Sequence, residues 1–229
     1  MNPHLLQQFS KLTEFLGRAL GPDYEVALHD LTDKDCSIVA IANNHISGRE
    51  IGAPLTNVAL KIIADRSYLT SDYRVHYRGV AADGKMLRSS TYYLKDEAGA
   101  LVGLLCINFD DTRYKTISDS ILGLCHPDTF VETNFFFDEH RLAAQRIPED
   151  PERFQHTPRG VAGSEVATVL RDMDVAADRL TQDEKMEVVG MLESRGVFLL
   201  KGAVKDVAEA LCCSPASVYR YLSKLRKED

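Results

Sequence analysis

Apolar positions along this chain follow two rhythms, one helical and one strand-like. Leu5, Phe9, Leu12, Leu16 and Leu20 recur at helical spacing, widened by Leu6 and Phe15, and predict an amphipathic helix ending near Gly17–Pro22. Runs rich in β-branched residues at Tyr24–Leu31 and Cys36–Ala42, split by a polar TDKD turn, predict two strands. Helical spacing returns through Leu55, Val58, Ala59, Ile62 and Ile63, with Pro54 suited to a first turn. Runs from Tyr73, Lys85 and Ala100 predict three further strands, joined through Asp83–Gly84 and Asp96–Gly99, residues that suit hairpins. Tyr114, Ile117, Ile121 and Leu124 then mark another helix. This order predicts an α+β fold, an antiparallel sheet with helices on one side.

From His126 the period is lost. Arg146–Gly160 holds three prolines and many charges and reads as linker. The expected division is a first domain over 1–125, a linker over 126–163 and an all-α domain over 164–229. In that last part a helix from Ser164 is followed by TQDE, a capping box in which Thr181 and Glu184 satisfy each other's end of the chain. Met186, Val188, Val189 and Leu192 give that helix its apolar stripe. A short joint, GVFLLKG, leads to a helix burying Val204, Val207, Ala208 and Leu211, then to a CCS turn and a terminal helix.

The terminal helix has Ser214 at its N-cap and Pro215 at N1. Val218, Leu222 and Leu225 share the inward face; Ala216, Ser217, Arg220 and Lys224 share the opposite one, with Tyr219 and Tyr221 flanking. Two short helices, a tight turn and small Ala208 at the crossing predict a helix-turn-helix, whose second helix enters the major groove of double-stranded DNA. The residues expected at DNA are Ser214, Ala216, Ser217, Tyr219, Arg220, Lys224 and Lys227. Cys212 occupies the turn position often filled by glycine, which implies a modest strain if its φ is positive.

Charge sharpens that reading. The chain carries 27 Lys and Arg against 34 Asp and Glu, a formal charge of −7, and repels nucleic acid on average. Lys201–Lys227 reverses the balance, with six basic residues against two acids. The five cysteines form no CxxC spacing, which fits reduced thiols and a cytoplasmic protein. No signal-peptide pattern opens the chain, and no apolar run approaches the roughly 18 residues of a membrane span.

Catalysis finds little support. There is no GxSxG, P-loop or GxGxxG motif. His29, Ser89 and Asp110 are the only nucleophilic set worth naming, and common residue types alone do not make a triad. No HxxxH pair occurs among the seven histidines. His76 or His126 as a haem ligand is the less common role for a histidine. No metal or cofactor is expected.

The stretches EVALHDL, SIVAIANNHISGREIGAPLT, LRSSTYYLKDEAGALVGLLCINFD, FLLKGAVKDVAEAL and SPASVYRYL together resemble the YheO-like family of bacterial transcriptional regulators. The resemblance implies a PAS-like sensor followed by a helix-turn-helix, in a cytoplasmic and oligomeric regulator, most simply a homodimer. The apolar stripe of the first helix is one candidate dimer surface; closing the sensor core is its other use. The resemblance also implies a small-molecule effector, with an amino acid or related metabolite as the class suggested. Polar residues placed oddly for a core mark where it would sit: His29, Asn43, Arg49, Arg88, Ser89, Ser90, Thr91 and Asn108. Asn108 shares a strand face with Cys106. Arg49 or Arg88 would hold a carboxylate by two hydrogen bonds. The competing class is a dimerising adaptor whose terminal helix binds a partner protein.

Overall fold

A computed structural model of the protein describes residues 1–125, 150–173 and 175–228, with side chains through 226. In chain order the elements are α1 (Pro3–Leu20), β1 (Tyr24–Asp30), β2 (Ile38–Ala42), α2 (Asn57–Ala64), β3 (Tyr73–Val80), β4 (Met86–Lys95), β5 (Leu101–Phe109), α3 (Thr112–Cys125), β6 (Glu152–Arg153), α4 (Pro158–Met173), α5 (Gln182–Ser194), α6 (Ala203–Ala210) and α7 (Pro215–Glu228). Short 3₁₀ turns occupy Ser67–Leu69, Ala177–Arg179 and Val197–Leu199. Pro54 falls ahead of α2, whose N-cap is Thr56.

The sheet runs β2-β1-β5-β4-β3-β6. Five strands are mutually antiparallel, and β6 pairs parallel to β3, matching Gly79 with Glu152 and Val80 with Arg153. The fold is therefore α+β as expected, but the sheet is mixed. Its helices also lie on both faces. Val26, Leu28, Leu94 and Leu105 point to one face and pack under Leu6, Phe9, Leu12 and Leu16 of α1. Ala27, Ile38, Tyr77, Tyr93, Leu104 and Cys106 point to the other and join a core that includes α2. Alternation along the strands separates these two sets, and β1, next to the edge strand β2, is buried on both faces. The stripe of α1 thus closes the sheet.

Residues 150–163 are built into the fold. Asn57 holds them by backbone contacts, its Nδ2 donating to Pro151 O at 3.0 Å and its Oδ1 accepting from Arg153 N at 2.8 Å. Phe154 is buried with Ile46, Ala81 and Leu87. Helix α4 starts at Pro158, six residues before the sequence pattern places it.

The core is continuous from the sheet to the terminal helices, passing through α2, α4, α5, α6 and α7. The joint between α5 and the following turn demands a glycine. Gly196 has φ 75°, and a Cβ there would stand 2.7 Å from the Leu60 carbonyl oxygen of α2. Lys201 adds a polar tie, its backbone N–H donating to Asp35 at 3.0 Å and its Nζ pairing with Asp33 at 3.1 Å.

Candidate functional site

The terminal pair α6–α7 has helix-turn-helix geometry. Val207, Ala208 and Leu211 from the first helix meet Val218, Tyr221 and Leu222 from the second in the core. Between them the chain closes as a Schellman motif: Cys213 N donates to Ala208 O at 2.9 Å and Cys212 N to Glu209 O at 3.2 Å. Cys212 takes φ 50°, the left-handed value that glycine normally supplies. Ser214 caps α7, its Oγ accepting from Ser217 N at 3.2 Å and lying 3.0 Å from Ser217 Oγ.

Ser214, Ala216, Tyr219, Arg220 and Lys224 are exposed, and Ser217 is half-exposed. The Lys227 side chain lies outside the described residues. Tyr219 and Tyr221 divide: the first is 62% exposed, the second 4%. Among the described residues, no carboxylate pairs with Lys205, Arg220 or Lys224. Arg226, by contrast, pairs with Glu193 at 2.7 Å, and Lys201 with Asp33 of the PAS-like half. The two acids of α6 are themselves compensated, because Arg159 of α4 reaches Asp206 at 3.8 Å and Glu209 at 3.0 Å. The sequence pattern gives no sign of that compensation, since Arg159 lies in what reads as linker.

The second site is the polar interior beneath the sheet. Glu25, His29, Ser37, Ser47, Arg49, Thr56, Ser89, Thr91, Asn108 and Glu152 are all buried there. At its centre Arg49 pairs with Glu25 at 2.9 Å, while Asn108 Nδ2 donates to the same carboxylate oxygen at 2.9 Å. Ser47 Oγ and its backbone N–H bind the other oxygen. The ring of Phe154 stacks on the Arg49 guanidinium, 4.5 Å from centroid.

Strand parity splits the RSST run. Ser89 and Thr91 face this interior; Arg88 and Ser90 face the other way, and Arg88 stacks over Phe109 at 4.9 Å. Thr91 lies 2.7 Å from the Tyr77 hydroxyl and 3.3 Å from Cys106 Sγ. His29 Nδ1 lies 2.9 Å from Ser37 Oγ, and burial with the nearby Arg49 charge drives its pKa down to about 3. The imidazole is neutral. Asn43 sits apart, its Nδ2 donating to the carbonyls of Gly17, Gly21 and Tyr24 and so fastening the end of α1.

Glu25, Ser47, Thr56, Tyr77, Glu152 and Phe154 also line this interior or border it, and no local sequence signal marks them. Glu152 accepts from Thr56 Oγ1 at 2.7 Å through one carboxylate oxygen. Burial raises its pKa, opposed by Arg49 and by the neighbouring hydroxyls of Thr56, Ser89 and Tyr77. Burial likewise pushes the Cys106 thiol up to about 12, helped by Glu152, so this cysteine is an inert thiol. Among the described residues no cluster of His, Cys, Asp and Glu is arranged to hold a metal ion, and no helix is long and apolar enough to cross a membrane.

Residues 1–126 match the YheO-like PAS domain, and residues 163–223 match a helix-turn-helix domain. The chain belongs to the YheO-like PAS family. It is 27% identical to the uncharacterized protein YheO of Escherichia coli across 98% of this chain and 86% of that one. It is 25% identical to the transcriptional regulator DauR of Pseudomonas aeruginosa across 97% of this chain and 95% of that one. Among solved structures, the phage VqmA–DPO complex aligns over 95% of this chain and 89% of its own, at 14% identity and a TM-score of 0.35. A YheO-like PAS domain joined to a helix-turn-helix marks a regulator of transcription, a role without catalysis.

Proposed function

We propose that this YheO-like protein is a cytoplasmic, dimeric transcriptional regulator that binds operator DNA through α7 and a small-molecule effector through its PAS-like half. The carrying observation is the division of α7: one face is locked into the core, and the other presents Ser214, Ala216, Ser217, Tyr219, Arg220 and Lys224 to solvent. The likeness to DauR, named a transcriptional regulator, supports it. In this reading residues 1–125 sense, residues 164–229 bind DNA, and residues 150–163 couple the two. The buried residues Arg49, Ser89, Thr91 and Asn108 are the sensing side chains, with His29 behind them.

Self-association supplies the paired half-sites that one helix-turn-helix lacks. Helix α3 is the surface that fits. Tyr114, Ile117, Ile121 and Leu124, spaced three, four and three apart, are all more than half exposed, and α3 has no buried residue. That spacing is the seam of a two-stranded coiled coil with a second copy. Replacing Ile117 and Ile121 together with Glu is expected to give monomers in sedimentation and to weaken operator binding.

A partner protein at α7 is the other reading, favoured by a groove beside exposed Tyr219, lined by Phe198, Leu200, Val204 and Leu222. Affinity for duplex DNA that falls steeply between 50 and 200 mM salt, by roughly 10³ or more for six phosphate contacts, supports the regulator. Duplex affinity too weak to measure at 50 mM salt would transfer α7 to the adaptor role.

A further inference from the structure

Four buried side-chain atoms beneath the sheet have no hydrogen-bond partner among the described residues: Arg49 Nη1, Ser89 Oγ, Asn108 Oδ1 and Glu152 Oε2. They belong to one cluster. Ser89 and Asn108 are paired across β4 and β5. Asn108 and Arg49 share Glu25. Glu152 lies in the field of Arg49 and near the hydroxyls of Ser89 and Tyr77, without a hydrogen bond from either to Oε2. Leaving such atoms dry costs roughly 1–3 kcal/mol each, more for charged groups. A few buried orphans per hundred residues are ordinary, but four gathered in one cluster call for a group that completes them.

Their chemistry describes what completes them. Arg49 Nη1 is a charged donor and needs an acceptor. Glu152 Oε2 and Asn108 Oδ1 are acceptors and need a donor. Ser89 Oγ serves either. Charge says the same. Two buried carboxylates, Glu25 and Glu152, face one buried guanidinium, and the one nearby imidazole is neutral. Glu25 is already matched by Arg49, leaving Glu152 as the carboxylate with an open oxygen.

We infer that this interior binds a small zwitterion, its anionic end on Arg49 and its cationic nitrogen on Glu152 and Asn108. The inference rests on the proposal that the PAS-like half senses a small molecule, and it names the chemistry of that molecule. Space comes from Phe154. Its ring stacks on Arg49 and occupies the gap that Gly79 leaves open, where a Cβ would come within 2.8 Å of the ring and 2.7 Å of Ser89 Oγ. A ligand reaching all four atoms displaces that ring.

Displacement is transmitted because Glu152 and Phe154 flank Arg153. Arg153 Nη1 donates to Glu165 of α4 at 3.1 Å. Arg195, at the end of α5, holds Glu165 at 3.1 Å and Asp150 at 2.7 Å. The carboxylate that recognises the ligand is thus on the same few residues that grip the helices supporting α7.

The test uses the full-length protein and a panel of L- and D-amino acids, each accompanied by the amine and the carboxylic acid that lack one of its ends. Thermal shift followed by calorimetry is expected to find a zwitterion that binds at least tenfold more tightly than either truncated form. Glu152→Gln, which keeps shape and removes charge, is expected to weaken it at least tenfold. Ser89→Ala guards against a folding artefact: its hydroxyl makes no hydrogen bond of ordinary length and only lies near Glu152, so the unliganded midpoint is expected to change little while affinity falls. Arg153→Ala is expected to keep ligand affinity and lose the ligand's effect on DNA affinity. A hit from a wider metabolite collection that is purely anionic or neutral would overturn the zwitterion while leaving the sensing role intact. Silence from both collections would remove the sensing role as well. Native-like affinity in Glu152→Gln would remove Glu152 from the site.

Discussion

Arg49 Nη2 and Glu25 Oε1 stand 2.9 Å apart with both side chains shut off from solvent. The pair joins β1 to the loop after β2, and Phe154 roofs it. Breaking such a pair from one side leaves an uncompensated buried charge, at a cost of about 3–5 kcal/mol. Glu25→Leu and Arg49→Leu are each expected to destabilise the protein on that scale in urea titrations. The double replacement is expected to cost less than the two singles added together, because no lone charge is left behind.

The His29 imidazole should govern part of the acid limb of stability. Its folded pKa, about 3, lies below its ordinary value of 6.5, so the folded state binds fewer protons than the unfolded state between those values. Stability from this group is complete above pH 6.5 and is lost as pH falls towards 3, by about 1.4 kcal/mol per unit. Glu152 acts with the opposite sign: its raised pKa makes the folded state lose stability as pH rises from 4.5 to its folded value. Urea denaturation of His29→Gln is expected to vary less between pH 6.5 and 5 than that of the native protein. Parallel curves would mean that the ring is not buried in the neutral form.

Arg220 and Lys224 should separate on DNA. Both lie on the outer face of α7, but Arg220 is nearer its N-terminal end, the end that recognition helices in general turn towards the bases. Arg220→Ala is expected to lower operator affinity by roughly 1–3 kcal/mol and random-duplex affinity much less. Lys224→Ala should weaken both alike and reduce the salt slope by about one ion. Fluorescence anisotropy at several salt concentrations reads both effects.

Cys212 offers a stabilising change. It is exposed and takes φ 50°, where a side chain costs roughly 1–2 kcal/mol that glycine avoids. Glycine's greater freedom in the unfolded chain offsets about 0.5–1 kcal/mol of that. Cys212→Gly is therefore expected to raise stability by up to about 1.5 kcal/mol, measured by urea denaturation, with DNA affinity unchanged.

Local pattern made five of the strands, the Thr181 capping box and both faces of α7 legible, because packing reinforces each of them. Parity carried part of the buried polar interior. Ser89 and Thr91 alternate with Leu87 as core positions do, and that same alternation turns Arg88 and Ser90 away. Glu152 was not legible. It sits in a two-residue strand among prolines and charges, with no period to read, and its burial depends on Thr56, 96 residues earlier. Glu25 was hidden differently, since nothing local to β1 announces the arginine that meets it.

The short strand β6 also sets the order in which the fold can be completed. Ile46, Ala81 and Leu87 are covered by Phe154, a residue made well after the five other strands. A nascent chain released only through residue 126 has every hairpin of the sheet and none of its last cover. Thr56 then lacks its buried acceptor and the Asn57 side chain its backbone partners at Pro151 and Arg153. Contacts of such long sequence separation form late and slowly. A fragment cut at the end of the PAS match is expected to be soluble only with its apolar edge exposed, and to bind a hydrophobic dye that the full chain ignores.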